Sequence, residues 1–188
     1  MLGLPGLLQL DRVVAGAVGA VVTFLLKALW DWWRNRPNLR ITVPAEKSWT
    51  YYAERSSDGT WSYSDPKTNS ESRLFVECPV YADNRSGTHD SVVGMALRLT
   101  RAQQPSPAFA EGSEFLARVV EGHHLEVILV KFHFDRDSYG DTPEWSSPNK
   151  RPLPLSLTTG RGRHIQIDVT TSPQIVQTGT PVTSPYVA

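Results

Sequence analysis

The chain has 188 residues, 40% hydrophobic and 20% charged, with 19 basic and 19 acidic side chains. That is a globular composition, which excludes wholesale disorder and leaves room for one membrane segment plus one domain of ordinary size. The neutral total hides a division: residues 1–40 carry five Lys/Arg against two acids, and the remainder fourteen against seventeen. A mildly acidic body without a gathered basic face argues against nucleic acid as a partner, and a lone cysteine, Cys78, excludes an intramolecular disulfide framework.

Residues 1–12 form a short N-terminal segment, after which "VVAGAVGAVVTFLL" (13–26) holds no charge and only Thr23 as a polar interruption. Extended to residue 33 the run reaches twenty-one residues, about 31 Å of helix at roughly 1.5 Å per residue, which matches a hydrocarbon layer of about 30 Å. The expectation is a single transmembrane helix over 13–33. Trp30, Trp32 and Trp33 then sit at the water interface, where amphipathic rings collect. Lys27 and Asp31 oppose this placement but lie toward one end, four residues apart on one helical face, where the lysine stem can snorkel to the headgroups.

Ala15 with Gly19, and Gly16 with Ala20, make two overlapping small-xxx-small pairs, a spacing that lets helix backbones approach closely in lipid. Three other placements fit less well. A cleaved signal peptide lacks its positive start and small-residue cleavage site, an interfacial helix lacks a polar face over 13–26, and a buried soluble helix stays open as an alternative, since fourteen residues fit that description too.

The stem 34–40 is basic: Arg34, Arg36 and Arg40 follow the helix without an acid, whereas Arg12 is offset by Asp11. Positive residues tend to stay in the cytoplasm, so the N-terminus is expected outside and the C-terminal domain inside, at the inner face of the cytoplasmic membrane. In that compartment the sequon Asn84-Arg85-Ser86 carries no sugar.

From residue 41 to 169 the pattern alternates. "LRITV" (39–43) leads into it, and "WTYYAE" (49–54) and "TWSYS" (60–64) read as two aromatic strands joined across a turn. "RLFVECPVYA" (73–82), "SVVGMALRLT" (91–100), "HLEVILVKFHF" (124–134), "LPLSL" (153–157) and "RHIQIDV" (163–169) follow. "SEFLARVV" (113–120) suits a strand or a short helix. About eight short strands without helical periodicity between them predict an all-β, immunoglobulin-like antiparallel sandwich. Residues 170–188, rich in Thr, Ser and Pro, are expected to form a tail.

The order of these parts resembles small bacterial single-pass membrane proteins with a C-terminal β-sandwich domain. The resemblance rests on the stem "WWRNRPNLRITV", the strand-loop-strand "VYADNRSGTHDSVVGMALRLTR" and the closing "LPLSLTTGRGRHIQIDV". It spans most of the chain, and it implies a fold and no catalytic residues.

Little else points to chemistry. "DRDSYGDTPEW" places Asp135, Asp137, Asp141 and Glu144 around Gly140, resembling a calcium loop. It departs from that pattern at Tyr139 and at Ser146, which stands where the closing glutamate belongs. His89, His123, His124, His133 and His164 follow no metal-binding spacing, and His89-Asp90 beside Ser86 and Ser91 lacks the nucleophile elbow of a triad enzyme. Arg161 and Arg163 in "TTGRGRH" could hold an anion with the help of backbone amides, without phosphate-loop spacing.

No cofactor is expected. The leading function is a membrane-anchored, non-enzymatic module in contact with membrane lipid, binding a partner protein or another copy at the inner membrane face. The alternative is a bacterial immunity effector whose β domain senses a nucleotide and whose helices oligomerise to disrupt the membrane.

Overall fold

The computed structural model describes residues 5–34, 36, 38–65, 71–100, 104–110, 113–139 and 142–183. A single long helix, α1 (Pro5–Arg34), precedes the β domain. The strands are β1 (Leu39–Thr42), β2 (Trp49–Arg55), β3 (Trp61–Tyr63), β4 (Arg73–Asn84), β5 (Asp90–Leu97), β6 (Ser106–Pro107), β7 (Phe109–Ala110), β8 (Ser113–Glu114), β9 (Arg118–Val120) and β10 (His124–Asp135). Two one-turn helices, α2 (Arg136–Tyr139) and α3 (Pro143–Ser146), lead to β11 (Leu153–Thr159), β12 (His164–Val169) and β13 (Ser172–Pro173). The ambiguous 113–120 stretch resolves into strands β8 and β9.

The strands form two sheets. The first runs β13-β2-β4-β10-β7-β8, with β1 also on β4 and β3 on β2; the second runs β12-β11-β5-β6, with β9 on β5. The pairings are antiparallel except β13 on β2. The spine is β4 against β10, in register from Arg73↔Asp135 to Asn84↔His124.

Alternation explains the core. Even-numbered residues of β4 (Leu74, Val76, Val80, Ala82) and of β10 (Ile128, Val130, Phe132, Phe134) face Val92, Met95 and Leu97 of β5 and Leu153, Leu155 and Leu157 of β11. In β5 the alternation slips at Gly94, opposite the register shift between Thr158 and Thr159. An extra residue is accommodated there as a bulge, a common place for glycine in a strand.

Burial along β4 is continuous from Leu74 to Val80 rather than alternating, because the far half of the first sheet is covered on both faces. Its outer cover is a second cluster of Tyr51, Ala53, Tyr63 and Phe75, with Trp61 and Val182 packed against it. Val182 belongs to the stretch expected as a tail. Instead of leaving the domain, residues 172–183 run along the β2–β3 edge. Ser172 N–H donates to Ser48 O at 2.9 Å, Tyr63 N–H to Thr180 O at 2.9 Å and Val182 N–H to Trp61 O at 2.9 Å. The Pro and Thr content that suggested a tail suits an edge segment, where not every N–H needs a ladder partner.

Among the described residues no helix is long and apolar enough to cross a membrane, so the fold alone does not establish the span expected over 13–33. What it establishes is a 30-residue helix, with side chains described for 17–33 and all of these exposed.

Candidate functional site

Strand register fixes which loops meet at the end of the sandwich nearest α1. Leu39, five residues after the end of α1, pairs with Asn84, and Asn84 pairs with His124. The loop 85–89 therefore lies at that end, beside the 121–123 turn. The 160–163 turn joins them, since Thr159 pairs with Val92 and Gly160 N–H donates to Ser91 O at 2.8 Å.

These loops interlock. Asn84 is fully buried; its Nδ2 donates to Thr88 O at 2.8 Å and Val120 O at 3.0 Å, while its Oδ1 accepts from Ser86 N–H at 3.1 Å and from the Ser86 hydroxyl at 2.7 Å. Gly122 is seated so closely on Gly87 that a Cβ would lie 2.9 Å from the Gly87 carbonyl carbon. Only a residue without a side chain permits that approach.

Arg161 reaches from the third loop, donating to Thr88 Oγ1 at 2.7 Å and to His89 O at 3.3 Å. In the same turn Gly162 N–H donates to Thr159 O and Arg163 N–H to Thr159 Oγ1. Three backbone amides and one guanidinium edge expected to cradle an anion thus have protein acceptors, and the Arg161 and Arg163 side chains stand exposed at the rim. His89, His123, His124 and His164 are exposed at this end as well.

The opposite end holds the acidic loop. Asp135 pairs with Arg73 at 2.6 Å, Asp137 is exposed on α2, and Asp141 lies outside the described residues. Glu144 faces Arg151 at 3.5 Å on the wall of a cleft of about 330 Å³ that Leu99, Pro148 and Leu153 also line. Among the described residues no three His, Cys, Asp or Glu side chains come together as a metal site. Thr142 caps α3 by accepting from Trp145 N–H, with Pro143 in the first turn; this buries Trp145, whose carbonyl accepts from the Tyr52 hydroxyl.

The outer face of the first sheet carries a feature that sequence reading did not isolate. Glu77 is 2% exposed, accepting from the Tyr51 hydroxyl at 2.6 Å, with the Lys131 ammonium 2.5 Å from the same oxygen. Lys131 also lies 5.9 Å from the Tyr51 ring centre and 5.8 Å from that of Phe75. Burial, assisted by the Glu77 charge, pushes the Tyr51 hydroxyl pKa well above its usual range. Next along β4, on the core face, the same two causes push the Cys78 thiol up to about 12, which leaves it an inert core group. Burial lowers the pKa of His133, with Asp135 opposing and Arg73 assisting. The only sequence signal for this cluster is a charge inside an apolar strand, "FVECPV", opposite another in "ILVKFH".

Beyond Lys131 the same face turns apolar. Leu125, Val127 and Leu129 are 53%, 45% and 43% exposed, and Tyr81 and Pro79 stand beside Val127 and Leu129 in register. Among the described residues, β7 pairs the other edge of β10 at Lys131, leaving its first half, 124–130, as open edge.

On α1, Phe24, Leu25, Leu26, Leu29 and the three tryptophans are between 58% and 71% exposed. Trp30 and Trp33 rings lie 5.7 Å apart, and the Arg36 guanidinium sits 3.7 Å over the Trp32 ring. Lys27 is exposed as well. Gly19 and Ala20 are exposed, with nothing within 4 Å of a Cβ built on Gly19; Ala15 and Gly16 are helical, and their surroundings, like the Arg34 side chain, lie outside the described residues.

No family model matches the chain, and no curated protein does. Among solved structures it is similar to the "Copper-bound PCuAC domain from PmoF2", at 10% identity and a TM-score of 0.40, over 72% of this chain and 93% of that one. The copper is that domain's own.

Proposed function

We propose that the chain is a membrane-anchored, non-enzymatic module: α1 is a single-pass anchor, and an immunoglobulin-like sandwich at the inner membrane face binds an extended segment of a partner protein along the open edge of β10. The observation that carries the reading is the state of α1. Every described side chain from 17 to 33 is exposed, so the apolar surface of this helix has no cover among the described residues. Large uncovered apolar surfaces mark membrane or protein contacts. The run is uncharged from residue 13 to 26, carries Lys27 and Asp31 near its end, and closes with the tryptophan rim at residue 33, a length suited to a bilayer.

The immunoglobulin-like reading is supported by strand order. With β2, β4, β5, β7, β10, β11 and β12 taken as A, B, C, D, E, F and G, the sheets read A-B-E-D and G-F-C. The β10 reading rests on the pairing of an unpaired strand edge with an outward apolar row, the combination used in strand addition. Arg34, Arg36 and Arg40 direct the domain to the cytoplasmic side.

The test is alkaline carbonate extraction of membranes from bacteria expressing the full chain, with protease added to spheroplasts. Retention in the pellet with a protected C-terminal domain is expected. Release by carbonate sinks the anchor, and digestion from outside reverses the orientation.

A further inference from the structure

We propose that the end of the sandwich nearest α1 is a docking surface for anionic phospholipid headgroups; this rests on the anchored reading above. Between Arg34 and Asn38 the chain can extend at most about 14 Å at roughly 3.5 Å per residue. The loops 85–89, 121–123 and 160–163 share that end with Asn38, whose carbonyl accepts from Arg85 N–H at 3.1 Å. A helix seated in a bilayer therefore holds these loops within reach of the headgroup layer, where any other partner would have to displace lipid.

The charges at this end fit an anionic surface. Arg36, Arg40, Arg161 and Arg163 are exposed there, and Arg85, exposed as well, shares its charge with Asp83. Their acidic neighbours are largely engaged. Asp83 is held by Arg85 at 2.6 Å and faces Arg40 across the β1–β4 ladder, and Asp90 is 5% exposed, its Oδ1 accepting from Ser91 N–H. Glu121 is exposed and Glu126 half-buried. At the other end Arg73 meets Asp135 and Arg151 meets Glu144, and the exposed Asp58 and Asp137 stand with the exposed Arg55 and Lys150. Among the described residues, exposed cations thus outnumber exposed carboxylates at the helix exit and do not at the far end.

The platform is also rigid. The Asn84 hydrogen bonds, the Gly122–Gly87 contact and the Arg161 tether fix the loops before any lipid arrives, so little ordering opposes contact. Exposed Val119 and Leu125, 61% and 53%, lie beside the same loops and can enter the interfacial layer. Tethering by α1 makes a few weak charge contacts sufficient, because the local lipid concentration is already high. Each cation close to an anionic leaflet is worth a factor of about five, and salt screens the attraction.

The experiment is hydrogen exchange on the full chain in nanodiscs of zwitterionic lipid alone or with one third phosphatidylglycerol. Exchange in peptides covering 85–90, 121–124 and 159–164 should slow at least threefold in the anionic discs, and the difference should vanish in 0.5 M salt. The 56–60 turn at the other end should not respond. Arg163→Gln with Arg85→Gln should remove most of the difference while leaving thermal unfolding of the sandwich in place. Equal exchange in both lipids, or slowing at both ends, overturns the docking surface while the anchor stands. Failure of the chain to remain in zwitterionic discs overturns the anchor and the docking surface with it.

Discussion

Replacing Asn84 with alanine isolates what holds the helix-proximal loops together. Its amide serves two carbonyls and its oxygen two donors of Ser86, all at a site with no solvent exposure. On truncation the Ser86 hydroxyl can turn to Thr88 O, 2.8 Å away, so that donor and that carbonyl remain satisfied. Ser86 N–H and the lateral bond to Val120 O are lost. A buried group without a partner costs about 1–3 kcal/mol and a lost hydrogen bond about 1 kcal/mol, which gives a destabilisation of about 2–4 kcal/mol. For a domain stable by roughly 5–15 kcal/mol this is a large fraction. With a urea slope of about 2 kcal/mol/M, the middle of the usual range, the midpoint should fall by about 1–2 M at constant slope. Far-UV circular dichroism of the full chain in detergent across a urea series measures it. A fall below about 0.3 M would show that the loops do not depend on Asn84 and would refute the interlocked platform.

Stability should fall with alkali in a defined order. The Cys78 thiol ordinarily titrates near 9 and is pushed up to about 12 when folded, so above pH 9 the unfolded chain loses a proton that the native chain keeps. The native state is then disfavoured by about 1.4 kcal/mol per pH unit. The tyrosines Tyr51 and Tyr52, raised above their ordinary 10, add to this only above pH 10, so Cys78→Ala should flatten the curve between pH 9 and 10 and leave the steeper fall beyond. An unchanged curve would mean that Cys78 is not desolvated. Lys131→Met, which takes the ammonium away from the buried Glu77 carboxylate, should cost about 2–3 kcal/mol, below a fully buried pair because the Lys131 side chain is 37% exposed, whereas the pair Glu77→Leu, Lys131→Met should recover most of it in a thermal unfolding comparison. Changing Trp30, Trp32 and Trp33 together to alanine should weaken membrane retention while the sandwich melts as before; loss of the β fold in that variant would contradict the exposed helix.

Most strands were legible because their faces differ. The two-residue period survives along β12, the aromatic hairpin 49–64 gathers Tyr51, Ala53 and Tyr63 into one cluster, and Cys78 reads as the small core hydrophobe it is. The misreading of 170–183 has a physical cause. A segment that covers an outer sheet face through scattered edge bonds needs no period of its own, so its Thr and Pro residues look like a tail. The Tyr51–Glu77–Lys131 cluster was hidden for a related reason. Strand register brings residues 51, 77 and 131 together, and no local spacing encodes that register. The loop arginines were visible in "TTGRGRH", but whether Arg161 faces a ligand or Thr88 depends on a loop 73 residues away.

The geometry of β10 also bears on what its open edge can bind. The outward row Leu125, Val127, Leu129 is symmetric about Val127, so a second copy could pair antiparallel through a two-fold axis there, with Leu125 opposite Leu129. That pairing sets the helix-proximal end of one sandwich beside the distal end of the other, and the two α1 exits then lie at opposite ends of the pair. Helices in one bilayer emerge at one level, so a tethered pair cannot easily adopt it. For a chain anchored as proposed, the β10 edge therefore suits a strand from a different protein better than a second copy, and the Gly19 face of α1 is left as the proposed place for any self-association. A disulfide trap separates the two. Cross-linking at Val127→Cys between copies in a single membrane would contradict this division, whereas cross-linking at Gly19→Cys alone agrees with it.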